Sequence, residues 1–285
     1  MVVNYLIAGI CLGVEGDNEV ALIDKLLGFE KFISFSEKSD CRILFGADLC
    51  LPESDPFYTF DFKEAGVVCS LSLLNNRYCF SMHDGNETVF RMIQSSHDSF
   101  LASSLDNLSL LRFAIWMAFS LFALRIRVSP IHASSVVFNE RTVLFLGESG
   151  TGKSTHARLW LSNVNGSFLL NDDSPIVSSR NNRLVVYGSP WSGKTHCYHN
   201  VSYPLVAVVR LCQAPFNRME RLNTLQAFAA LQPSFPPALS RDDFYMDCIV
   251  DIISDIVSAI PVFKLSCLPD NGAVDLCFNT IFHSL

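Results

Sequence analysis

Residues Gly147-Glu148-Ser149-Gly150-Thr151-Gly152-Lys153-Ser154 match the pattern G-x-x-x-x-G-K-[ST] without a mismatch. The pattern constrains the fold because it works in one setting: a strand that ends at the first glycine and a helix that starts at its lysine. The apolar run Thr142-Val143-Leu144-Phe145-Leu146 supplies the strand, and a helix is predicted over Thr155 to Leu161. In such a loop the glycines let successive backbone N–H groups, through Thr155, converge on phosphate oxygens. The Lys153 ammonium reaches the terminal phosphates, the Ser154 hydroxyl binds Mg²⁺, and the helix adds its positive N-terminal end. The motif therefore implies a phosphate-binding loop. It does not choose among kinases, hydrolases, switches and motors.

The rest of the chain narrows the classes. At 285 residues it holds one large domain or two ordinary ones. With 49% hydrophobic and 17% charged residues it can bury a substantial core, and disorder is not expected. A net charge of −7 without a basic stripe argues against a general nucleic-acid surface. The ten cysteines, at 11, 41, 50, 69, 79, 197, 212, 248, 267 and 277, form no C-x-x-C pair. They read as buried free thiols of a reducing cytoplasm rather than a zinc cage. Two apolar runs do not read as membrane segments. Tyr5 to Val14 lacks a basic flank and a cleavage site. Phe113 to Leu124, bracketed by Arg112, Arg125 and Arg127, falls short of the roughly 20 residues that a spanning helix needs and reads as a buried core helix.

Along the chain, residues 1–105 read as a β-rich domain. Strands are expected at Tyr5 to Val14, Cys41 to Phe45, Tyr58 to Phe62, Val67 to Leu73, Tyr78 to Met82 and Thr88 to Ile93, with one short helix over Glu19 to Leu27. Residues 106–285 read as a second domain. It opens with a helix over Leu108 to Arg125 and a break at Val128-Ser129-Pro130. Strands follow at Ser134 to Phe138, Thr142 to Leu146, Phe168 to Leu170, Arg183 to Val186, Leu205 to Leu211 and Val262 to Leu265, with a late helix over Asp242 to Ser258. The polar step Asn139-Glu140-Arg141 fits a hairpin between the first two of these strands.

Downstream of Lys153, Phe168-Leu169-Leu170 runs into Asn171-Asp172-Asp173. Two acids at the C-terminal edge of a strand stand where ligands bind in open α/β sheets. One carboxylate can hold Mg²⁺, and the other can take a proton from an attacking hydroxyl. The competing reading is an acidic turn, Asp172-Asp173-Ser174-Pro175. Upstream, His132 falls at an end of the strand that pairs with the loop strand, within range of these acids. A third segment, Gly188-Ser189-Pro190-Trp191-Ser192-Gly193-Lys194-Thr195, fits the same eight-residue pattern. Pro190 removes an amide donor and no amphipathic helix follows before Pro204, so it does not read as a second cradle. Its alternatives are a glycine-proline surface loop or a substrate loop. In a substrate loop Lys194 is a second cation, Trp191 a flat apolar wall, and Gly193 a point of close backbone approach. His196 and His199 read as ordinary loop histidines, and Arg210, near the end of an apolar strand, and Arg218, in a polar loop, as surface charges with some promise as clamps.

The order Ile131-His132-Ala133-Ser134, Gly147 to Thr155, Asn171-Asp172-Asp173 and Gly188 to Lys194 resembles the HPr kinase/phosphorylase catalytic fold, itself related to phosphoenolpyruvate carboxykinase. The resemblance spans Pro130 to Arg210. It implies an α/β (or α+β) P-loop domain of that type behind a smaller β-rich one, using Mg²⁺ with ATP or another phosphate donor. It also implies that Gly147 to Thr155 bind the nucleotide, that Ser154 and Asp173 hold the metal, and that Asp172 is the general base with His132 beside it. The acceptor it implies is a hydroxyl of a protein, peptide or small molecule, with no nucleic acid and no membrane as partner, and it is compatible with a homo-oligomer. The segment after Lys194 and the N-terminal part depart from HPr kinases, which separates the nucleotide site from any commitment to HPr. A nucleotide-binding regulatory module without turnover is the competing class. Carboxykinase-like chemistry fits a chain this short less well.

Overall fold

The structure, a computed structural model, describes residues 1–49, 52, 54–193 and 195–282. Its chain forms two compact units: Met1–Arg125 with Ala238–Met246, and Ile126–Pro237 with Asp247–Leu285. Each is built on a large mixed sheet.

The first unit contains β1 (Val2–Ile7), β2 (Ile10–Glu15), α1 (Asn18–Ile23), β3 (Ile33–Ser34), β4 (Cys41–Leu44), β5 (Pro56–Phe62), β6 (Val67–Leu74), β7 (Arg77–Asp84), β8 (Glu87–Ser96), β9 (Ser99–Ala102) and α2 (Leu108–Ala123). The sheet order is β3-β1-β2-β4-β9-β8-β7-β6-β5. The stretch expected as one strand over Tyr5 to Val14 is a hairpin instead. Ala8 and Gly9 both take positive φ (51° and 71°), the backbone of a tight two-residue turn. Helix α2 starts at Asn107, whose Oδ1 accepts from the N–H groups of Ser109 and Leu110. It packs on the sheet through Phe113, stacked on Phe62 with ring centroids 4.5 Å apart and set edge-on to Phe60 and Phe80. With the turn to Ile126 it is 19 residues long and apolar enough by composition to cross a bilayer, and 61% of its most apolar window is buried inside the protein. The sequence-based boundary at 105/106 falls ahead of this helix, which groups with the first unit.

The second unit contains β10 (Val128–Pro130), β11 (Ala133–Phe138), β12 (Arg141–Leu146), α3 (Lys153–Asn163), β13 (Phe168–Asp173), β14 (Ile176–Ser178), β15 (Val185–Tyr187), β16 (Ser202–Gln213), β17 (Arg218–Arg221) and α4 (Thr224–Leu231). It ends with α5 (Asp243–Ala259), whose first residues to Met246 group with the first unit, then β18 (Val262–Cys267) and α6 (Asn271–Phe282). The sheet order is β10-β14-β15-β16-β12-β11-β13, with β18 pairing β16 and β17. β11 and β12 form the expected hairpin through Asn139 and Glu140, both at positive φ. β16 runs parallel to β12 and to β18. Helix α3 covers this sheet with Ala157 and Trp160, which pack into a core of Val143, Phe145, Val209 and Leu265.

Two further expectations need correcting, and one competing reading is set aside. Val128-Ser129-Pro130 is not a break but the terminal strand of the sheet, where a proline without an N–H is tolerated. Asp172 and Asp173 do not form an acidic turn. They continue β13, opposite Ser134 and Ala133 of β11. Arg218 lies in β17, where it pairs with Glu220 at 2.6 Å, rather than in a loop.

Candidate functional site

The loop strand β12 is buried except for Arg141, so its direction and depth are set by the core. The chain leaves it at Gly147, where an added Cβ would run into the Thr151 side chain. Gly150 and Gly152 take φ of 85° and 99°, a region that glycine enters without steric cost. The Thr151 N–H and Oγ1 both bond to the Glu148 carbonyl, at 3.2 and 2.8 Å, which closes the loop on itself. Gly152 then caps α3, and Lys153 is its first residue. Strand, glycine-rich loop and helix thus follow one another as the spacing predicts.

Lys153 is buried. Its Nζ donates to the carbonyls of Gly147 (2.8 Å) and Glu148 (3.3 Å) and to His132 Nε2 (2.9 Å). An ammonium has only donors, so Nε2 is the acceptor and the imidazole proton stands on Nδ1, facing Asp173 Oδ1 at 3.3 Å. Burial pulls the Lys153 ammonium below the ordinary lysine value. The carboxylates of Asp173 and Asp172 oppose that pull, and the cation of Arg210 adds to it. Arg210 lies opposite Leu146 on the neighbouring parallel strand and reaches the Ala230 carbonyl at 3.0 Å and Glu148 at 3.7 Å.

Asp172 is 6% exposed and accepts from three hydroxyls. Ser134 (2.5 Å) and Ser154 (3.0 Å) donate to Oδ1, and Thr195 (2.9 Å) to Oδ2. Three hydroxyl donors on one buried carboxylate fix its orientation. Asp173, half-exposed, faces His132. Main-chain pairing fixes both acids, so neither depends on a flexible tip.

The third segment is strapped to the same strand. The Asn171 side chain is fully buried; its Nδ2 donates to the Trp191 carbonyl (3.0 Å) and Ser189 Oγ (3.2 Å), while its Oδ1 accepts from the Ser174 N–H (2.9 Å). The Gly193 N–H donates to the Asp172 carbonyl at 3.0 Å, and Ser192 bridges to Asp173. Trp191 is 4% exposed, so its indole belongs largely to the interior. Lys194 lies outside the described residues. No helix follows Thr195, and the chain stays irregular until β16 begins at Ser202.

The structure therefore brings Gly147 to Thr155, Lys153, His132, Asp172 and Asp173 to one end of β11, β12 and β13. Sequence reasoning gave no role to Asn171, Ser134 or Thr195. Only Asn171 carried a signal, a polar amide between an apolar run and two acids. Among the described residues, no group of three or more His, Cys, Asp or Glu is arranged to hold a metal ion by itself. Mg²⁺ sites use one or two carboxylates together with phosphate oxygens and water. The Ser154 hydroxyl and the two aspartates are the donors of that kind here.

No family model matches the chain, and no curated protein is significantly similar to it. Among solved structures, the Hpr(Ser) kinase/phosphatase from Coxiella burnetii aligns with 54% of this chain and 88% of its own, at 16% identity and a TM-score of 0.30. A superposition that loose decides neither fold nor function, and the residues of the site have to.

Proposed function

We propose that the protein is a Mg²⁺-dependent phosphotransferase of the HPr kinase-like type, moving a phosphoryl group from ATP or a related donor to a hydroxyl of a protein, peptide or small molecule. One observation carries the reading. A glycine loop with its lysine and serine, two strand-borne aspartates and a histidine meet through hydrogen bonds and a close imidazole–carboxylate contact at one sheet edge. Phosphoryl transfer needs little covalent help from a protein and relies on positioning and charge neutralisation, which is what this set provides.

In this reading the loop amides and Lys153 hold the donor phosphates. Ser154 and Asp173 hold the Mg²⁺, which neutralises phosphate charge when bound. Asp172 accepts the proton of the attacking hydroxyl, and His132 orients Asp173 while sharing Lys153. The described cysteines form no disulfide with one another, which fits a reducing cytoplasm as the place of action. The test is turnover of labelled ATP with hydroxyl acceptors, alongside calorimetry of nucleotide binding. Lys153→Ala and Asp172→Asn are each expected to cut transfer by about 10³-fold or more while the fold, followed by circular dichroism, persists. Full activity in both variants refutes the assignment.

A further inference from the structure

The Gly188–Thr195 segment fits the phosphate-loop pattern in letters and takes no part in nucleotide binding as read above. Its last residue nevertheless reaches the centre of the site. Thr195 Oγ1 donates to Asp172 Oδ2 at 2.9 Å, while the other oxygen of that carboxylate is taken by Ser134 and Ser154. If Asp172 is the base, the hydroxyl on its second oxygen stands where an acceptor hydroxyl has to stand: bonded to the group that will take its proton and one carboxylate away from the loop serine.

The contact is built rather than incidental. Ser192 Oγ donates to the Thr195 carbonyl at 2.6 Å, and the Ser192 backbone bridges to Asp173. Gly193 bonds to the Asp172 carbonyl, and a Cβ at that position would crowd the same oxygen at 3.0 Å and the Asp173 Cβ at 3.2 Å. Behind these, Asn171 ties Trp191, and Cys197 Sγ donates to the Leu169 carbonyl at 3.1 Å. Gly193 before Thr195 and Cys197 after it are thus fixed to β13, the strand that carries Asp172. The other two hydroxyls on Asp172 are less suited to accept a phosphoryl group. Ser134 is 1% exposed within β11, and Ser154 is the metal-side serine of the loop. Thr195 is exposed.

We infer that Thr195 is a built-in acceptor and that the protein phosphorylates it in cis. This rests on the phosphotransferase reading above. Thr195 Oγ1 attacks the terminal phosphorus of a bound nucleoside triphosphate. The new O–P bond forms as the bond from that phosphorus to the bridging oxygen breaks, and the nucleoside diphosphate leaves with that electron pair. The hydroxyl proton passes to Asp172 Oδ2. The product is phosphothreonine beside Asp172, and like-charge repulsion then favours release of the segment from the acids.

The full chain is incubated with Mg²⁺ and γ-labelled ATP. Incorporation is located by peptide mass spectrometry, and nucleotide binding is measured in parallel by calorimetry. The expected result is label on Thr195 at a first-order rate independent of protein concentration. Thr195→Val should lose that label and keep nucleotide binding, and Thr195→Ser should retain it. Gly193→Ala, which pushes the segment off the Asp172 carbonyl, should slow labelling without changing nucleotide affinity. Binding of nucleotide with no label, with label elsewhere, or with label that survives in Thr195→Val overturns the inference and leaves the phosphotransferase reading standing. A rate that scales with protein concentration also overturns it, because transfer is then between molecules. No binding of any nucleotide removes the parent reading instead.

Discussion

Gly147–Ser154 and Gly188–Thr195 have the same spacing of glycines, lysine and hydroxyl, yet the chain uses them in opposite ways. The first leaves a buried strand, turns through left-handed glycines at 150 and 152, and opens a helix of 11 residues. Its amides and its lysine are directed by that helix start. The second leaves a three-residue strand, carries Pro190, and lies along β13 through Asn171, Ser189 and Gly193 with no helix after it. Its glycines serve close packing: a Cβ on Gly188 would overlap the His199 carbonyl. A phosphate cradle is therefore a property of what flanks the pattern, because convergent N–H groups come from the turn into a helix and not from the letters.

Lys153→Ala breaks the first segment where the comparison is sharpest. Turnover should fall by about 10³-fold, roughly 4 kcal/mol of transition-state stabilisation, as expected for the loss of a preorganised cation. Undiminished turnover would place the cradle elsewhere. Asn171→Ala strikes the second segment at its anchor. It removes the acceptor of the buried Ser174 N–H and the amide donor to Trp191 and Ser189, and urea unfolding should show a loss of about 3 kcal/mol. Gly188→Ala should cost about 2 kcal/mol by overpacking, read from the same urea curves, with nucleotide binding little changed.

The smallest effect comes from His156, on the inner face of α3. It is 3% exposed, accepts from Trp160 Nε1 at 3.1 Å and is pulled by burial to about 4. Its folded value lies below the unfolded one, so the unfolded chain binds the proton first as pH falls. The stabilisation is complete above the ordinary histidine value and is lost on the way down toward about 4. Between neutral pH and about pH 5.5 this amounts to a loss of about 1 kcal/mol from the one group. Wild-type stability that stays flat across that window, relative to His156→Gln, would show that the ring does not titrate as its burial implies.

Much of the site was legible because it is local. The helix start at Lys153, the strand before Gly147 and the hairpin at Asn139-Glu140 follow from patterns a few residues long. The acids were legible as a pair but not as strand residues, since their extended backbone is imposed by pairing with Ala133 and Ser134 across the sheet. Thr195 was hidden for the same reason at longer range. Its place on Asp172 follows from loop closure through Asn171, and no window of sequence encodes that. In the first unit, Tyr5 to Val14 looked like one strand because Ala8 gives no turn signal, even though its backbone takes positive φ. Helix α4 is a different kind of miss. Asn223 and Gln226 form a reciprocal cap that the spacing already announces.

Lys153 enters the resting loop already committed to three acceptors, the carbonyls of Gly147 and Glu148 and the Nε2 of His132. A visiting anion has to outbid all three at once and leave none of them stranded. On the phosphotransferase reading proposed above, a chain of phosphates offers enough oxygens to take over the ammonium, and a single-oxygen guest does not, so the resting contacts of Lys153 would set a threshold for entry.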